Sequence, residues 1–181
     1  METWIAFLRG VNVGGKNKLP MKELVAALEA SGIPGAKTYI QSGNIVINCS
    51  EARSANLRGK LAAVIKDRFG FEPGVVILSA GQLARARDAN PFASEVGING
   101  KSIHFYFMSD PPLELDKDRL ESLRRPTERW QFYNSVFYLY TPEGIGDSKL
   151  ARQVEKALPK ATARNLNTVE AVLALATELI R

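Results

Sequence analysis

The segment Arg9-Gly10-Val11-Asn12-Val13-Gly14-Gly15-Lys16-Asn17-Lys18 combines glycines and cations directly after an apolar run. Glycine accepts positive φ and leaves its amide uncovered, so successive N–H groups can converge on one oxyanion while Arg9, Lys16 and Lys18 supply charge. The chemistry indicated is the holding of a phosphate, not a reaction on it. Gly10, four intervening residues and Gly15-Lys16 approach the P-loop pattern, but Asn17 stands where that loop needs a magnesium-binding Ser or Thr. Pro20 also delays the next helix until past the lysine, so P-loop hydrolysis is set aside. The competing account is that the glycines shape a turn while Asn12 and Asn17 hydrogen-bond their own backbone.

Other residues offer less. Ser148-Lys149 follows the Gly-containing stretch Thr141 to Asp147 and opens a helix, where Lys149 could meet an anion, but Asp147 as N-cap would repel one. Arg164 and Asn165 form a further polar cluster, with Asn167 placed as a helix cap. His104 lies in a strand with no visible acid/base partner, and Cys49 has no second cysteine to resolve it, so both are read as packing residues. One histidine and one cysteine exclude an internal disulfide and a His-based metal site, and no metal or cofactor is expected. The chain lacks a basic leader with an apolar core and any apolar run near the roughly 20 residues of a membrane helix, so a cytoplasmic protein without a membrane partner is expected.

Charge is uneven. Residues 1–90 hold 12 Lys+Arg against 7 Asp+Glu, whereas residues 91–181 hold 12 of each, so the whole net charge of +5 lies in the first half. A positive field there suits a polyanion such as nucleic acid or a nucleotide. Aromatic residues instead crowd the second half, from Phe105 to Tyr140, and offer a base-stacking surface wherever helices leave them uncovered.

The elements that must position these residues follow from periodicity. Trp4 to Leu8 is a buried strand, Pro20 to Glu29 a helix with proline in its first turn, and Gly32 its end. Lys37 to Gln41 and Asn44 to Asn48 form a hairpin pivoting on Ser42-Gly43; residues 52–69 are helical and Val75 to Leu78 a strand. The second half repeats βαββαβ: Ile103 to Met108, Asp116 to Leu123, Trp130 to Tyr133, Val136 to Tyr140 about an Asn134-Ser135 turn, Asp147 to Leu158, and an edge strand at Ala161 to Ala163. A helix from Asn167 to Ile180 closes the chain, opened by the box Asn167-Thr168-Val169-Glu170. The fold class is α+β: two ferredoxin-like units with antiparallel sheets, residues 1–80 and 101–181, joined by a connector at 81–100, the alternative being one continuous sheet with shared helices.

In such a unit strands 1 and 2 run the same way, so the loop after strand 1, the turn between strands 2 and 3 and the end of helix 2 share one sheet edge. Arg9 to Lys18, Gln41 to Asn44 and Gly70 to Gly74 should therefore be neighbours. The candidate ligand-binding set is Arg9, Asn12, Gly14, Gly15, Lys16, Asn17, Lys18, Gln41, Ser42 and Asn44, with Lys149, Arg164 and Asn165 secondary.

Phe7 to Asn17 and Thr38-Tyr39-Ile40-Gln41-Ser42-Gly43-Asn44 resemble the bacterial family known as domain of unknown function 1697. The resemblance continues through Asn90-Pro91-Phe92, Pro142 to Gly146 with Ser148-Lys149-Leu150, and Arg164 to Thr168, across almost the whole chain. Leu166 departs from the pattern, where the family leads us to expect tryptophan. The resemblance implies two ferredoxin-like halves and carries no activity, cofactor or catalytic residue.

Three functions remain distinct on these residues. The first is a binding protein for a nucleotide or nucleic acid. The second is an enzyme on a phosphorylated substrate, with Arg9 and Lys16 stabilising charge and no general base assigned. The third is an interaction module using strand edges or second-half aromatics. The oligomeric state is not indicated.

Overall fold

The computed structural model describes residues 2–49, 56–94, 97, 99–112 and 114–180, so positions 52–55 of the expected second helix lie outside the described residues. The elements are β1 (Glu2–Arg9), α1 (Met21–Ala30), β2 (Lys37–Tyr39), β3 (Asn44–Cys49), α2 (Leu57–Phe69), β4 (Gly74–Ser79), α3 (Ala80–Asp88), a 3-10 turn at Gly100–Ser102, β5 (Ile103–Phe107), α4 (Lys117–Leu123), β6 (Arg129–Tyr133), β7 (Val136–Tyr140), α5 (Lys149–Ala157), β8 (Thr162–Asn165) and α6 (Leu166–Ile180). This is a mixed α+β architecture with two four-stranded antiparallel sheets, ordered β2-β3-β1-β4 and β6-β7-β5-β8.

The chain divides into two compact units, Met1–Ala84 with Glu170–Arg181, and Arg85–Val169. The first is discontinuous in sequence. Its last segment is tied to it by Asn48 Nδ2, which donates to Leu179 O at 3.2 Å, and by an exposed ion pair of Lys37 with Glu178 at 3.7 Å.

In the first unit Ala6 and Leu8 of β1 join Ile45 and Ile47 of β3, Leu24 and Leu28 of α1, and Leu57, Leu61 and Ile65 of α2 in one core. Residues i and i+2 of a strand share a face, and the alternate set, Ile5 and Phe7, is fully buried as well. A strand apolar on both faces reads as the continuous run Trp4 to Leu8. In the second unit Tyr106, Phe137, Leu139, Leu150 and Val154 form the corresponding core, with Trp130 stacked on Phe137 at 5.3 Å. Phe105, Phe107 and Tyr138 are also buried, so most of the aromatics that suggested a stacking surface are packed away.

Local details depart from the sequence expectation in instructive ways. The stretch read wholly as connector contains α3, opened by a reciprocal cap: Gln82 N donates to Ser79 Oγ at 3.1 Å and Ser79 N to Gln82 Oε1 at 2.8 Å. Ser148, not Asp147, caps α5, accepting from Ala151 N at 2.9 Å. Asn165, not Asn167, caps α6, accepting from Thr168 N at 2.9 Å. The turn at Asn134 and Ser135 holds positive φ at both residues (48° and 63°), as a two-residue hairpin requires. The first hairpin differs: β2 stops at Tyr39, paired with Asn44, because Ile40 swings to φ 49°.

Candidate functional site

The register of the first sheet brings the expected segments to one edge. Phe7 pairs with Asn44 and Arg9 with Gly74, while Leu8 N donates to Gly43 O at 2.8 Å. The end of β1, the β2–β3 loop and the start of β4 therefore share a rim. Gly43 is required there: at φ 72°, a Cβ on it would lie 2.6 Å from Leu8 Cβ and 2.9 Å from Val11 Cγ2. Gly74 leaves room for Arg9, since a Cβ there would fall 2.9 Å from Arg9 Nε.

The loop after β1 is a small β-finger. Asn12 N donates to Asn17 O at 3.1 Å and Lys16 N to Val13 O at 3.1 Å, with Val13 and Lys16 forming an antiparallel bridge. Gly14 and Gly15, at φ 59° and 74°, make the two-residue tip, the left-handed pair that a tight hairpin needs. Asn12 anchors the finger: its Nδ2 donates to Leu19 O at 2.9 Å and Gln41 O at 2.6 Å, and its Oδ1 accepts from Leu19 N at 2.8 Å. Asn17 Nδ2 donates to Gly10 O at 2.8 Å. Asn12 and Asn17 hold φ of 54° and 50°, a region asparagine tolerates better than most residues.

On the neighbouring loop, Asn44 is fully buried and its Nδ2 donates to Tyr39 O at 3.1 Å and Ser42 Oγ at 3.2 Å. Gln41 Oε1 accepts from Met21 N at 3.4 Å, so the first amide of α1 is occupied. That amide is thereby withdrawn from the set a helix N-terminus offers a phosphate. Exposed at the rim are Arg9, Lys16, Lys18, the glycine tip, the braced Asn12, Asn17 and Gln41, and two apolar side chains, Val13 (68% exposed) and Ile40 (53%). Sequence reasoning missed that apolar pair; the signal was an aliphatic residue beside each turn. Residues 9–18 and 37–48 contain basic but no acidic residues, so the rim carries a positive field.

The secondary candidates lie in the other unit. Lys149 is the exposed first residue of α5, and Asn165 is engaged as the α6 cap. Arg164 is half-buried, donates to Thr162 Oγ1 and Ala163 O at 2.8 Å each, and desolvation lowers its pKa to about 10. A groove of about 870 Å³ lined by Glu114, Asp116, Asp118, Lys117 and Phe132 is acidic and disfavours an anion. His104 is buried on β5, where desolvation lowers its pKa to about 4, and Cys49 is buried at the end of β3. Among the described residues no group of His, Cys, Asp and Glu is placed to hold a metal ion, and no helix is long and apolar enough to cross a membrane.

Among solved structures, the chain is similar to conserved bacterial protein SP0830 from Streptococcus pneumoniae, with a TM-score of 0.70 at 24% identity over 97% of this chain and 98% of that one. That likeness establishes a common fold. No curated protein matches the sequence. The sequence does match, over residues 1–138, the family described as Protein of unknown function (DUF1697), with its rim inside the matched region, and the chain belongs to that family.

Proposed function

We propose that this protein is a cytoplasmic binding protein for a phosphorylated ligand, a nucleotide or nucleic acid, held at the rim after β1. We likewise read each sheet with its helices as a ferredoxin-like unit, supported by a fourth-first-third-second strand order in both. The observation that carries the functional reading is the division of labour at the rim. Asn12, Asn17, Gln41 and Asn44 direct amide atoms at backbone or Ser42, bracing the loops, while Lys16 and Lys18 stand exposed beside the Gly14-Gly15 tip with Arg9 at its base. Cations on a braced scaffold hold phosphate with little ordering cost. In this reading the asparagines and Gln41 position the loop, and Arg9, Lys16, Lys18 and the glycine amides contact the ligand.

The test is a salt titration of binding to nucleotides and oligonucleotides, comparing the protein with Lys16→Ala/Lys18→Ala. Loss of two phosphate contacts should weaken binding and reduce the log–log salt slope for duplex by about 1.8. Equal affinity and equal slope in the double variant would remove these lysines from the site and the proposal with them.

A further inference from the structure

Two features of the rim are not explained by phosphate holding. Among the described residues three large apolar side chains are exposed, Val13, Ile40 and Tyr133, and the first two belong to this basic edge. Each is next in sequence to a partner of the 2.6 Å hydrogen bond from Asn12 Nδ2 to Gln41 O, so the aliphatic groups flank one contact. Val13 lies directly across the finger from Lys16, which puts an apolar and a cationic side chain on the same face. Ile40 is a β-branched residue at φ 49°, an unfavourable conformation that its 53% exposure does not repay through burial.

The shape is also informative. A Cβ added at Gly10, Gly14 or Gly15 would meet nothing within 4 Å, so the finger is convex and open. Small ligands are ordinarily enclosed by concave sites that bury most of their surface. A narrow convex finger with cations at its flanks fits a groove in a polymer instead.

We infer that the ligand of this rim is duplex DNA, with Val13 and Ile40 pressed as aliphatic wedges against a base step and Arg9, Lys16 and Lys18 on the flanking phosphates. The inference rests on the phosphate-binding reading above and narrows it. Apolar wedges that part base steps while cations hold the backbone are an established way of binding and bending a duplex. Single strands are held mainly by aromatic stacking, and Tyr39, the sole aromatic in residues 9–18 and 39–44, is half-buried. Duplex RNA is recognised through its 2′-hydroxyls, whereas the amides of Asn12, Asn17 and Asn44 are spent on the loops. A bilayer surface needs a broader apolar face than two aliphatic side chains. With Asn12, Asn17 and Asn44 each donating an amide to the loops themselves, recognition is of backbone and deformability, not of base sequence.

The experiment compares the full chain with Val13→Ser, Ile40→Gly and Lys16→Ala/Lys18→Ala against an end-labelled DNA duplex of about 20 base pairs, the matching single strand, ATP, and vesicles of phosphatidylserine and phosphatidylcholine. Ile40→Gly suits the positive φ, so it removes the side chain without straining the fold, and circular dichroism melts confirm folding of each variant. The expected result is tightest binding to duplex, a salt slope near −2.7 for three phosphate contacts, and energy transfer between the ends that rises as the duplex bends. Val13→Ser and Ile40→Gly should each weaken duplex binding about 5-fold and reduce bending while leaving the salt slope unchanged; the lysine variant should flatten the slope. Duplex binding indifferent to Val13 and Ile40, or preference for ATP, single strand or vesicles, overturns the inference, and the phosphate reading survives if the lysines still matter. Binding of no probe, or binding indifferent to the lysines, overturns both.

Discussion

Replacing Gly43 by alanine should damage the protein several times more than the same replacement at Gly14, although both glycines are left-handed. Gly43 has φ 72°, and its new Cβ would lie 2.6 Å from Leu8 Cβ and 2.9 Å from Val11 Cγ2. Leu8 and Val11 are 1% and 3% exposed, and Leu8 N is bound to Gly43 O, so neither the side chains nor the backbone can step aside cheaply. Left-handed strain costs about 1–2 kcal/mol and overpacking about 1–3 kcal/mol, offset by about 0.4–1 kcal/mol from a stiffer unfolded chain. The net is a loss of about 2–4 kcal/mol. At Gly14, φ is 59° and nothing lies within 4 Å, so strain less the unfolded-state gain leaves about 0.5–1 kcal/mol. Urea unfolding read by Trp4 fluorescence, in a common Trp130→Phe background so that β1 alone reports, gives both values. Equal losses at the two glycines would refute the close-approach argument for the rim.

The remaining expectations are briefer. Asn12→Gly keeps the positive φ but deletes three side-chain hydrogen bonds, and should cost about 1.5–3 kcal/mol in the same urea assay, with faster amide exchange at Leu19. Ile40→Gly should be neutral or stabilising by up to about 1 kcal/mol, since an exposed strained isoleucine gives way to a residue that suits φ 49°. His104 has a folded pKa of about 4, below the unfolded 6.5, so the unfolded chain takes up the proton first. Its contribution is complete above pH 6.5 and is lost as pH falls toward 4, by about 2–3 kcal/mol, and His104→Leu should flatten stability across that window.

Much of the architecture was legible because it depends on period. Trp4 to Leu8 is apolar on both strand faces, and Leu24, Leu28, Leu57, Leu61 and Ile65 recur at helical spacing toward one core. Strand direction in such a unit places Arg9, Ser42 and Gly74 at one edge from the sequence alone. Caps were less legible: Asp147 and Ser148, or Asn165 and Asn167, are adjacent or nearly adjacent residues of similar capping chemistry, and packing of the following turn selects between them. Helix α3 was signalled by the Ser79 and Gln82 spacing, which goes unnoticed where glycine and alanine blur the period. The β2 end was not readable, because Ile40 favours strand locally and is overruled by hydrogen bonds that reach its loop from far in sequence, Asn12 Nδ2 to Gln41 O and Leu8 N of β1 to Gly43 O. For the same reason the sequence could nominate Asn12, Asn17, Gln41 and Asn44 without showing that each spends an amide atom on bracing the loops.

The discontinuity of the first unit sets a constraint on synthesis. Residues 2–79 supply its whole sheet, yet the segment from Glu170 onward, which meets Asn48 and Lys37, leaves the ribosome only after the entire second unit. At about 5–20 residues per second, the roughly 85 intervening residues impose a wait of several seconds. The second unit is contiguous and can mature as it emerges, whereas the first unit, which carries the basic rim, lacks its last segment for that interval. A stalled or prematurely terminated nascent chain would thus display the finger without its complete scaffold, and quality control acting on such chains would meet this basic edge on an unfinished unit.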